Sequence, residues 1–472
     1  MSAHLGDRQA KVSADDRQFE QFLYAKHEKI YPREVHGLFA RMHVAGVLVL
    51  LGIFYGVPFL RWDGHQAILF DLPARKFYIF NLTLWPQDFV YLAGLLIVAG
   101  LSLFFFTALA GRIWCGYACP QTVWTEVFLW MERWIEGSRG RQIKLDKGPL
   151  SFSKVRIKAT KHAAWILFSV WTGFTFVSYF TPVEELVTRL FQLELGPWET
   201  FWILFYGFAT YGNAGWMREQ VCKYMCPYAR FQSAMFDANT LFLAYDDQRG
   251  GPRGSRKRSA DKQVLGLGDC IDCTLCVQVC PTGIDIRDGL QYECIACSAC
   301  IDACDDVMEK MNYEKGLIRY TTENASLGNP SRILRPRILV YATILIVALA
   351  AILFNLTQRV ALDLDVIRDR NNLYRETSEG LIENVYTLKI LNMDSLPHRY
   401  TLRTDGIPNL KLKSDSPAIQ VEGGSVGEYV VRLQADAADL FARSTPVRFY
   451  LQAEDLNHLS VVEDARFLGP RI

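Results

Sequence analysis

The chain has 472 residues, which is long enough for several domains, and half of its residues are hydrophobic. The formal charge is only +1, yet the basic residues gather in some segments and avoid others. In a chain with long apolar runs this segregation indicates membrane topology, and it argues against nucleic acid as a partner.

The first part of the chain is polar. Residues 1–35 contain no apolar core of the kind that a cleavable signal peptide needs, so we expect the first apolar segment to stay in the mature protein. We therefore predict that residues 1–36 form a cytoplasmic N-terminal segment.

Five apolar stretches are long enough to cross a hydrocarbon core of about 30 Å. They are His43–Leu60, Phe89–Ala110, Ala163–Phe180, Trp198–Trp216 and Ile338–Leu356. The sequence thus predicts an α-helical bundle of about five helices, with four in residues 37–216 and the fifth in 334–357. The fourth stretch contains Glu199 and is interrupted by Tyr, Gly and Asn, so a buried amphipathic hairpin stays open as its alternative.

Lysine and arginine counts predict the orientation of these spans. The loops 61–88 and 181–197 carry three and one lysine or arginine residues, whereas segments 111–162 and 216–337 carry ten and sixteen. Cytoplasmic loops are enriched in these residues, so we expect a multi-pass protein of the cytoplasmic (inner) membrane. Its N-terminus and its region 217–333 would be cytoplasmic, and residues 358–472 periplasmic.

Two matching motifs lie just past the second and fourth stretches. They read Cys115-Gly-Tyr-Ala-Cys119-Pro120 and Cys222-Lys-Tyr-Met-Cys226-Pro227. The i, i+4 spacing predicts each cysteine pair on one face of a helical turn, and the proline stops one helix or opens the next. A duplicated unit would bring the four thiols together at the cytoplasmic membrane surface.

Four such thiols suit a soft cation, above all Cu(I), or an iron centre, or a dithiol–disulfide cycle. The alternative is that they are buried as small apolar side chains. We expect His36, His43 and His162 at the same cytoplasmic membrane surface as these thiols. Two histidines that face each other there would suit a haem. A polar role at helix ends is the alternative for these histidines.

A basic segment, R-G-G-P-R-G-S-R-K-R-S-A-D-K, occupies residues 249–262. Its Gly, Pro and Ser content predicts a flexible linker whose cations lie against anionic headgroups. A basic loop that only sets topology is the alternative.

Eight of the twelve cysteines fall between Cys270 and Cys304, in two C-x2-C-x2-C-x3-C runs. This is the pattern of bacterial ferredoxins, in which the fourth cysteine of each run ligates the other 4Fe–4S cluster. The predicted ligands of cluster one are Cys270, Cys273, Cys276 and Cys304. Those of cluster two are Cys294, Cys297, Cys300 and Cys280. Matching cysteines are offset by 24 residues, which indicates internal duplication within an α+β ferredoxin module at 262–312.

Two other interpretations of these eight cysteines are weaker. Structural zinc sites usually show two separated C-x2-C pairs, and disulfides are rare in the cytoplasm, where we expect this region to lie. Pro281 follows the first run as the ferredoxin pattern requires. Asp305 stands where the second run would have its proline, which affects loop geometry more than ligation.

Residues 358–472 contain no cysteine and several runs with period-two alternation, such as Val385–Leu391, His398–Arg403, Glu428–Leu433 and Val447–Leu451. Such runs, bounded by Asn, Asp, Gly and Pro, predict a small antiparallel β-sandwich. We expect a docking or scaffolding role for it.

Taken with these parts, several strings resemble the CcoG/RdxA/FixG family of accessory proteins for the cbb-type cytochrome oxidase. They are W-C-G-Y-A-C-P-Q-T-V-W, C-K-Y-M-C-P-Y-A-R-F-Q, C-P-T-G-I-D-I-R-D-G-L-Q-Y-E-C-I-A-C, G-L-I-R-Y-T-T-E and V-I-R-D-R-N-N-L-Y-R-E. The resemblance covers nearly the whole chain. It implies a membrane-bound ferredoxin that reduces Cu(II) to Cu(I) during oxidase assembly, and an immunoglobulin-like C-terminal domain.

Three functional hypotheses follow. In the first, electrons from a cytoplasmic donor pass through the two clusters to copper held at Cys115, Cys119, Cys222 and Cys226. In the second, the chain carries electrons from quinol to a partner subunit, although the sequence shows neither a quinone pocket nor a haem ligand pair. In the third, it is an assembly scaffold. Expected partners are the membrane, copper ions, oxidase assembly factors or a copper transporter, and an electron donor; a homo-oligomer is compatible with all three.

Overall fold

The computed structural model describes residues 29–62, 64–394, 396–416, 418–440, 442–456 and 458–470. They form two compact units, one ending at Ala348 and the other beginning at Leu349. Residues 1–28, which are most of the predicted N-terminal segment, lie outside the described residues.

Helices dominate the first unit. In the described residues the α-helices are α1 (Leu38–Gly56), α2 (Phe89–Ala110), α3 (Ile113–Tyr117), α4 (Pro120–Glu136), α5 (Arg139–Lys147), α6 (Phe152–Val177), α7 (Val183–Gln192), α8 (Pro197–Thr210), α9 (Pro227–Met235), α10 (Asp247–Gly250), α11 (Leu275–Gln278), α12 (Ala299–Met311), α13 (Glu323–Ser326) and α14 (Pro336–Thr357). Two segments are π-helical, Tyr211–Met217 and Val221–Met225. Short 3-10 turns are Val57–Phe59, Pro86–Asp88, Ile286–Asp288 and Ala437–Asp439.

Three helical segments of the described chain are long and apolar enough to cross a membrane, namely Leu38–Phe59, Pro86–Ala110 and Pro336–Thr357. They correspond to the first, second and fifth predicted spans. The predicted third span lies in α6, whose first half carries several lysines. The predicted fourth corresponds to α8, which continues directly into the π-helical segment Tyr211–Met217, and it is not among the three candidate spans. The predicted count of five is therefore not confirmed.

Helices α6 and α8 nevertheless pack closely against each other. An added Cβ on Gly173 of α6 would collide with the carbonyl oxygen of Ile203 in α8. The backbones can approach this closely because Gly173 has no side chain, which is a common device between apolar helices.

Short strands join the helices of the first unit. They are β1 (Arg61–Trp62), β2 (His65–Gln66), β3 (Ile68–Asp71), β4 (Lys76–Ile79), β5 (Leu82–Leu84), β6 (Phe242–Tyr245) and β7 (Ile318–Thr321). Strands β3, β4 and β5 form an antiparallel meander. Strand β6 pairs antiparallel with β7, so the cysteine-rich module is closed by strands that lie outside the predicted limits 262–312.

The basic segment 249–262 packs on the cysteine-rich module, so its prediction as a flexible linker was wrong. Arg256 Nη2 donates to the Gly268 carbonyl oxygen at 2.6 Å, and Arg249 Nε donates to Asp269 at 2.7 Å. The arginines satisfy carbonyl and carboxylate groups of the module itself, which gives the segment a fixed path despite its Gly and Pro content.

The second unit is an antiparallel β-sandwich, as predicted. Its strands are β8 (Leu362–Arg368), β9 (Arg375–Glu376), β10 (Ile382–Asn392), β11 (His398–Asp405), β12 (Lys411–Ser414), β13 (Ile419–Val421), β14 (Ser425–Ala435), β15 (Ser444–Ala453) and β16 (Ser460–Leu468). One sheet has the order β12-β14-β10-β8, with β9 beside β10, and the other β13-β11-β15-β16. Inward-facing residues such as Tyr386, Leu388 and Phe449 are fully buried between them.

Candidate functional site

Four cysteines of the first unit line one small cavity. They are Cys270, Cys273, Cys276 and Cys304, the set predicted for cluster one. The first three come from the loop around α11, and Cys304 lies on α12. Apolar side chains including Met308 and Leu317 complete the wall.

A second small cavity is lined by the set predicted for cluster two, which is Cys280, Cys294, Cys297 and Cys300. Cys276 also lines this cavity, so the two cavities adjoin. In both cavities the fourth cysteine comes from the other run, which is the crossed arrangement that the spacing predicts.

The internal duplication is visible in the backbone of the two runs. Asp272 and Ala296 have positive φ values of 52° and 55°, and Thr274 and Ser298 have 56° and 65°. Each pair is separated by 24 residues, which equals the cysteine offset. The left-handed residues turn the chain sharply between cysteines, so three thiols of one run can face the same cavity.

These thiols suit 4Fe–4S clusters. Burial raises the pKa of Cys276 to about 11 and, with neighbouring thiols and Asp305, that of Cys304 to about 12. Buried thiolates need a compensating positive charge, which cluster iron supplies. Among the described residues no three His, Cys, Asp or Glu side chains are close enough to hold a single metal ion, and this holds for both the ferredoxin cysteines and the cysteines of the two Cys-x3-Cys-Pro motifs.

We call Cys115, Cys119, Cys222 and Cys226 the membrane-proximal cysteines, after their predicted position. They lie in two similar turns. Cys115 is in α3 and Cys222 is in the π-helical turn Val221–Met225, whereas Cys119 and Cys226 are extended residues. The prediction of one helical face for each pair was wrong, because a residue before proline is driven out of the helical region. The predicted role of the prolines is confirmed, since each begins the next helix, α4 or α9.

The same four thiols influence one another. Burial raises the pKa of Cys222 to about 12, and the nearby thiols of Cys119, Cys115 and Cys226 act in the same direction. Burial also raises the pKa of Cys115 to about 11, against the opposing effect of Gln232, whose Nε2 donates to the Cys115 sulfur at 3.2 Å. The structure therefore brings two segments about 100 residues apart near one another, but no three of these thiols are close enough to hold a single metal ion.

This group adjoins the loop of the predicted cluster-two ligands. An added Cβ on Gly116, which lies between Cys115 and Cys119, would be 2.7 Å from the Ala296 carbonyl oxygen. Arg112 Nη1 donates to the Cys294 carbonyl oxygen at 3.1 Å. No local sequence pattern marks Arg112, Gly116 or Gln232, because each acts through a contact with a distant part of the chain.

The three histidines separate into two environments. His36 and His43 line a cavity of about 720 Å³ that Cys222 and Cys297 also reach. His162 instead pairs with Tyr211, its Nδ1 lying 2.9 Å from the hydroxyl oxygen. The polar role at helix ends remains the alternative to a haem for His36 and His43.

A buried charge network braces the membrane-proximal group. Glu132 of α4 is 1% exposed and accepts from Arg218 Nη2 at 2.6 Å and Lys29 Nζ at 2.7 Å. Burial pushes the pKa of Glu132 upward, but Arg218, Lys29 and Lys161 together outweigh it and lower the pKa to about 2. Arg218 precedes Cys222 by one turn, so the network fixes the second cysteine turn against α4.

Three family models match the chain. A model described as a 4Fe-4S dicluster domain matches residues 217–323, and one described as a 4Fe-4S binding domain matches residues 91–142. A third, described as an IG-like fold at the C-terminal of FixG, matches residues 352–470. The chain is thus an iron–sulfur protein with an immunoglobulin-like C-terminal domain.

Curated relatives resemble the chain over most of its length. Nitrogen fixation protein FixG of Rhizobium meliloti is 42% identical, covering 82% of this chain and 81% of its own. Protein RdxA of Cereibacter sphaeroides is 41% identical, over an alignment that covers 91% of this chain and 90% of RdxA. A crystal structure of a FixG-related protein from Vibrio parahaemolyticus is 31% identical over 23% of this chain and 97% of its own, with a TM-score of 0.21. The chain therefore belongs to the FixG/RdxA family of iron–sulfur electron-transfer proteins.

Proposed function

We propose that this protein reduces Cu(II) to Cu(I) for the copper centre of a cbb-type cytochrome oxidase, at Cys115, Cys119, Cys222 and Cys226. The observation that carries the proposal is the packing of the Arg112–Cys119 segment on the loop Cys294–Cys297. This packing joins four thiols, which are soft ligands of the kind that copper prefers, to a cysteine set that can hold a cluster. When bound, the two clusters supply single electrons.

The residues around the thiols favour reduced copper. Thiolates are soft ligands that prefer Cu(I) to Cu(II), so binding at the thiols favours the reduction. Cys119 immediately precedes α4, and the backbone N–H groups of Gln121 and Thr122 act to lower the pKa of its thiol, against the raising effect of burial. Gln232 donates to Cys115. These donors offset part of the effect of burial, which disfavours the thiolate form of both cysteines.

The loop charges support an orientation for this chemistry. We place the N-terminus and the cysteine-rich module in the cytoplasm and residues 358–472 in the periplasm, where the sandwich would meet oxidase assembly factors or a copper transporter. Reporter fusions at Gly266 and Asn371 should score on opposite sides of the inner membrane. Scores on the same side would contradict the orientation.

Copper reduction itself is tested on anaerobically purified full-length protein. With dithionite in limiting supply and a Cu(I)-specific chelator, the protein should catalyse Cu(I) formation well above the rate without protein. The matched control is protein whose clusters have been removed, which should lose this activity while keeping the thiols. Equal rates with and without clusters would refute the proposed function.

A second candidate for the four thiols is a further iron centre. The 4Fe-4S model over residues 91–142 favours it, since that range contains Cys115 and Cys119 but none of the ferredoxin cysteines. Two 4Fe–4S clusters require about eight iron atoms per chain. Anaerobic protein that holds about twelve, and loses four in Cys115→Ser, would favour the iron centre over copper.

A further inference from the structure

The cavity of about 720 Å³ is the largest of the three cavities described above, and it shares Cys222, Gln121 and Thr122 with the proposed copper site. Its walls are α1 with the segment before it, α4, and the loops that carry Pro281 and Cys297. This volume lies within the range of about 300–1,000 Å³ that is usual for small-molecule sites.

One side of the cavity belongs to a candidate membrane span. Val44 and Leu48 line it, and they are 38% and 60% exposed on the helix Leu38–Gly56. The cavity is thus bordered by exposed apolar side chains of a candidate membrane span, which is where a ligand from the bilayer would enter. The position therefore favours an apolar or amphipathic ligand over a hydrated ion.

Polar side chains also line the cavity. His43 lines it, and its Nε2 is buried without a hydrogen-bond partner among the described residues. Glu126 also lines it and accepts from Arg133 Nη2 at 2.9 Å. A buried imidazole nitrogen without a partner costs stability unless a ligand pairs with it, and a carboxylate beside it provides a second proton acceptor.

The cavity also reaches the two thiol groups. Cys297, from the predicted cluster-two set, and Cys222, from the membrane-proximal group, both line it. A ligand in this cavity would therefore contact the residues through which electrons must leave. The cavity thus combines access from lipid, two proton acceptors and contact with predicted cluster ligands. These features suit a carrier that releases electrons and protons together.

We propose that this cavity binds a membrane quinol and that quinol is the electron donor, with His43 Nε2 and the Glu126 carboxylate accepting its protons. The proposal rests on copper reduction as the function. Oxidation of one quinol to quinone breaks two O–H bonds and releases two electrons and two protons. The electrons reduce two Cu(II) ions to Cu(I), and the protons pass to His43 and Glu126.

The first test measures binding, with a photoreactive azido-ubiquinone on full-length protein and decylubiquinone as competitor. We expect labelling within residues 38–56 and 120–136, prevented by decylubiquinone. Leu48→Trp narrows the lipid-facing side of the cavity. It should raise the concentration of decylubiquinone that halves the labelling at least tenfold. Val49→Trp is the matched control, because Val49 is equally exposed on the same helix but does not line the cavity; it should stay within twofold.

Equal effects of the two tryptophans, or labelling that decylubiquinone does not prevent, would overturn the proposal. So would protection by phospholipid as effective as that by decylubiquinone, since the cavity would then hold lipid only. Iron content and thermal melting check that each variant is folded.

The second test separates the quinol site from copper reduction. His43→Gln should lower decylubiquinol-driven Cu(I) formation at least tenfold and leave dithionite-driven formation unchanged, whereas His162→Gln should change neither. Equal loss with both reductants would place His43 in folding and refute its role here. If dithionite-driven formation fails in the unmodified protein while quinone binding persists, the proposed function fails and the cavity assignment stands.

Discussion

The eight ferredoxin cysteines and the four membrane-proximal cysteines are both duplicated sets, but they are assembled differently. Each ferredoxin set is shaped by its own short loops, with the same left-handed residues repeated 24 positions apart. The membrane-proximal set is brought together by packing between helices about 100 residues apart, and its two halves differ, one being α-helical and the other π-helical before the proline. Local geometry fixes the first group and tertiary contacts fix the second.

The largest expected effect comes from removing one predicted ligand of the ferredoxin cysteines. Cys280→Ser should remove the second cluster and leave the first, so that iron content falls by about half, because crossed ligation assigns Cys280 to the second set. Iron analysis with electron paramagnetic resonance of each cluster checks this. An unchanged second-cluster signal would refute the crossed ligand sets.

The tertiary assembly of the second group should be sensitive to the buried network. Glu132→Gln leaves Arg218, Lys29 and Lys161 without their buried carboxylate and should cost about 3 kcal/mol. Thermal melting in detergent measures the loss, and alkylation of Cys222 should become faster. Glu185→Gln, which breaks an exposed pair with Arg189, is the control and should cost under about 1 kcal/mol. Equal costs would contradict a bracing role for the network.

A pair of glycine variants tests whether the contact between the two cysteine groups is the route for electrons. Gly116→Ala forces the Cys115 turn away from the Ala296 carbonyl oxygen and should slow dithionite-driven Cu(I) formation about tenfold, or about 1.4 kcal/mol, with normal iron content. In Gly140→Ala a Cβ meets no atom within 4 Å, so the rate should not change. A normal rate in Gly116→Ala would show that this contact is not the route.

The smallest effect concerns the C-terminal unit, which carries no cysteine and should respond to pH independently of both groups. Burial lowers the pKa of His398, but its hydrogen bonds to Asp455 at 2.7 Å and Asp394 at 3.2 Å outweigh burial and raise it above 6.5. Its stabilising effect is therefore complete below pH 6.5 and is lost as the pH rises through the raised value.

Urea unfolding of residues 358–472 from pH 5 to 9 checks this, since that region has its own core. His398→Gln should flatten the profile, whereas His458→Gln, on an exposed side chain, should not. A profile unchanged in His398→Gln would contradict the assignment.

The difference between the two cysteine groups also explains what the sequence could predict. The cavity-lining sets Cys270–Cys304 and the strands of the sandwich follow from spacing and alternation, which are local. The number of spans does not follow from local patterns, because α6 begins with lysines that pair with Glu132 and Glu136, and α8 passes into the π-helical segment Tyr211–Met217. The path of segment 249–262, the contact of Arg112 with Cys294 and the cavity beside His43 all depend on distant parts of the chain, and no local pattern marks them.

The central claim is that the four membrane-proximal thiols act as one site that receives electrons and copper. The most direct measurement is Cu(I) formation against iron content in Cys115→Ser, Cys226→Ser and the double variant, each reduced before Cu(II) is added. We expect each single variant to lose at least 99% of the rate with both clusters intact, and the double to lose no more, as for residues that act as a unit. Normal rates in the single variants with normal iron would leave these cysteines as packing residues and contradict the claim.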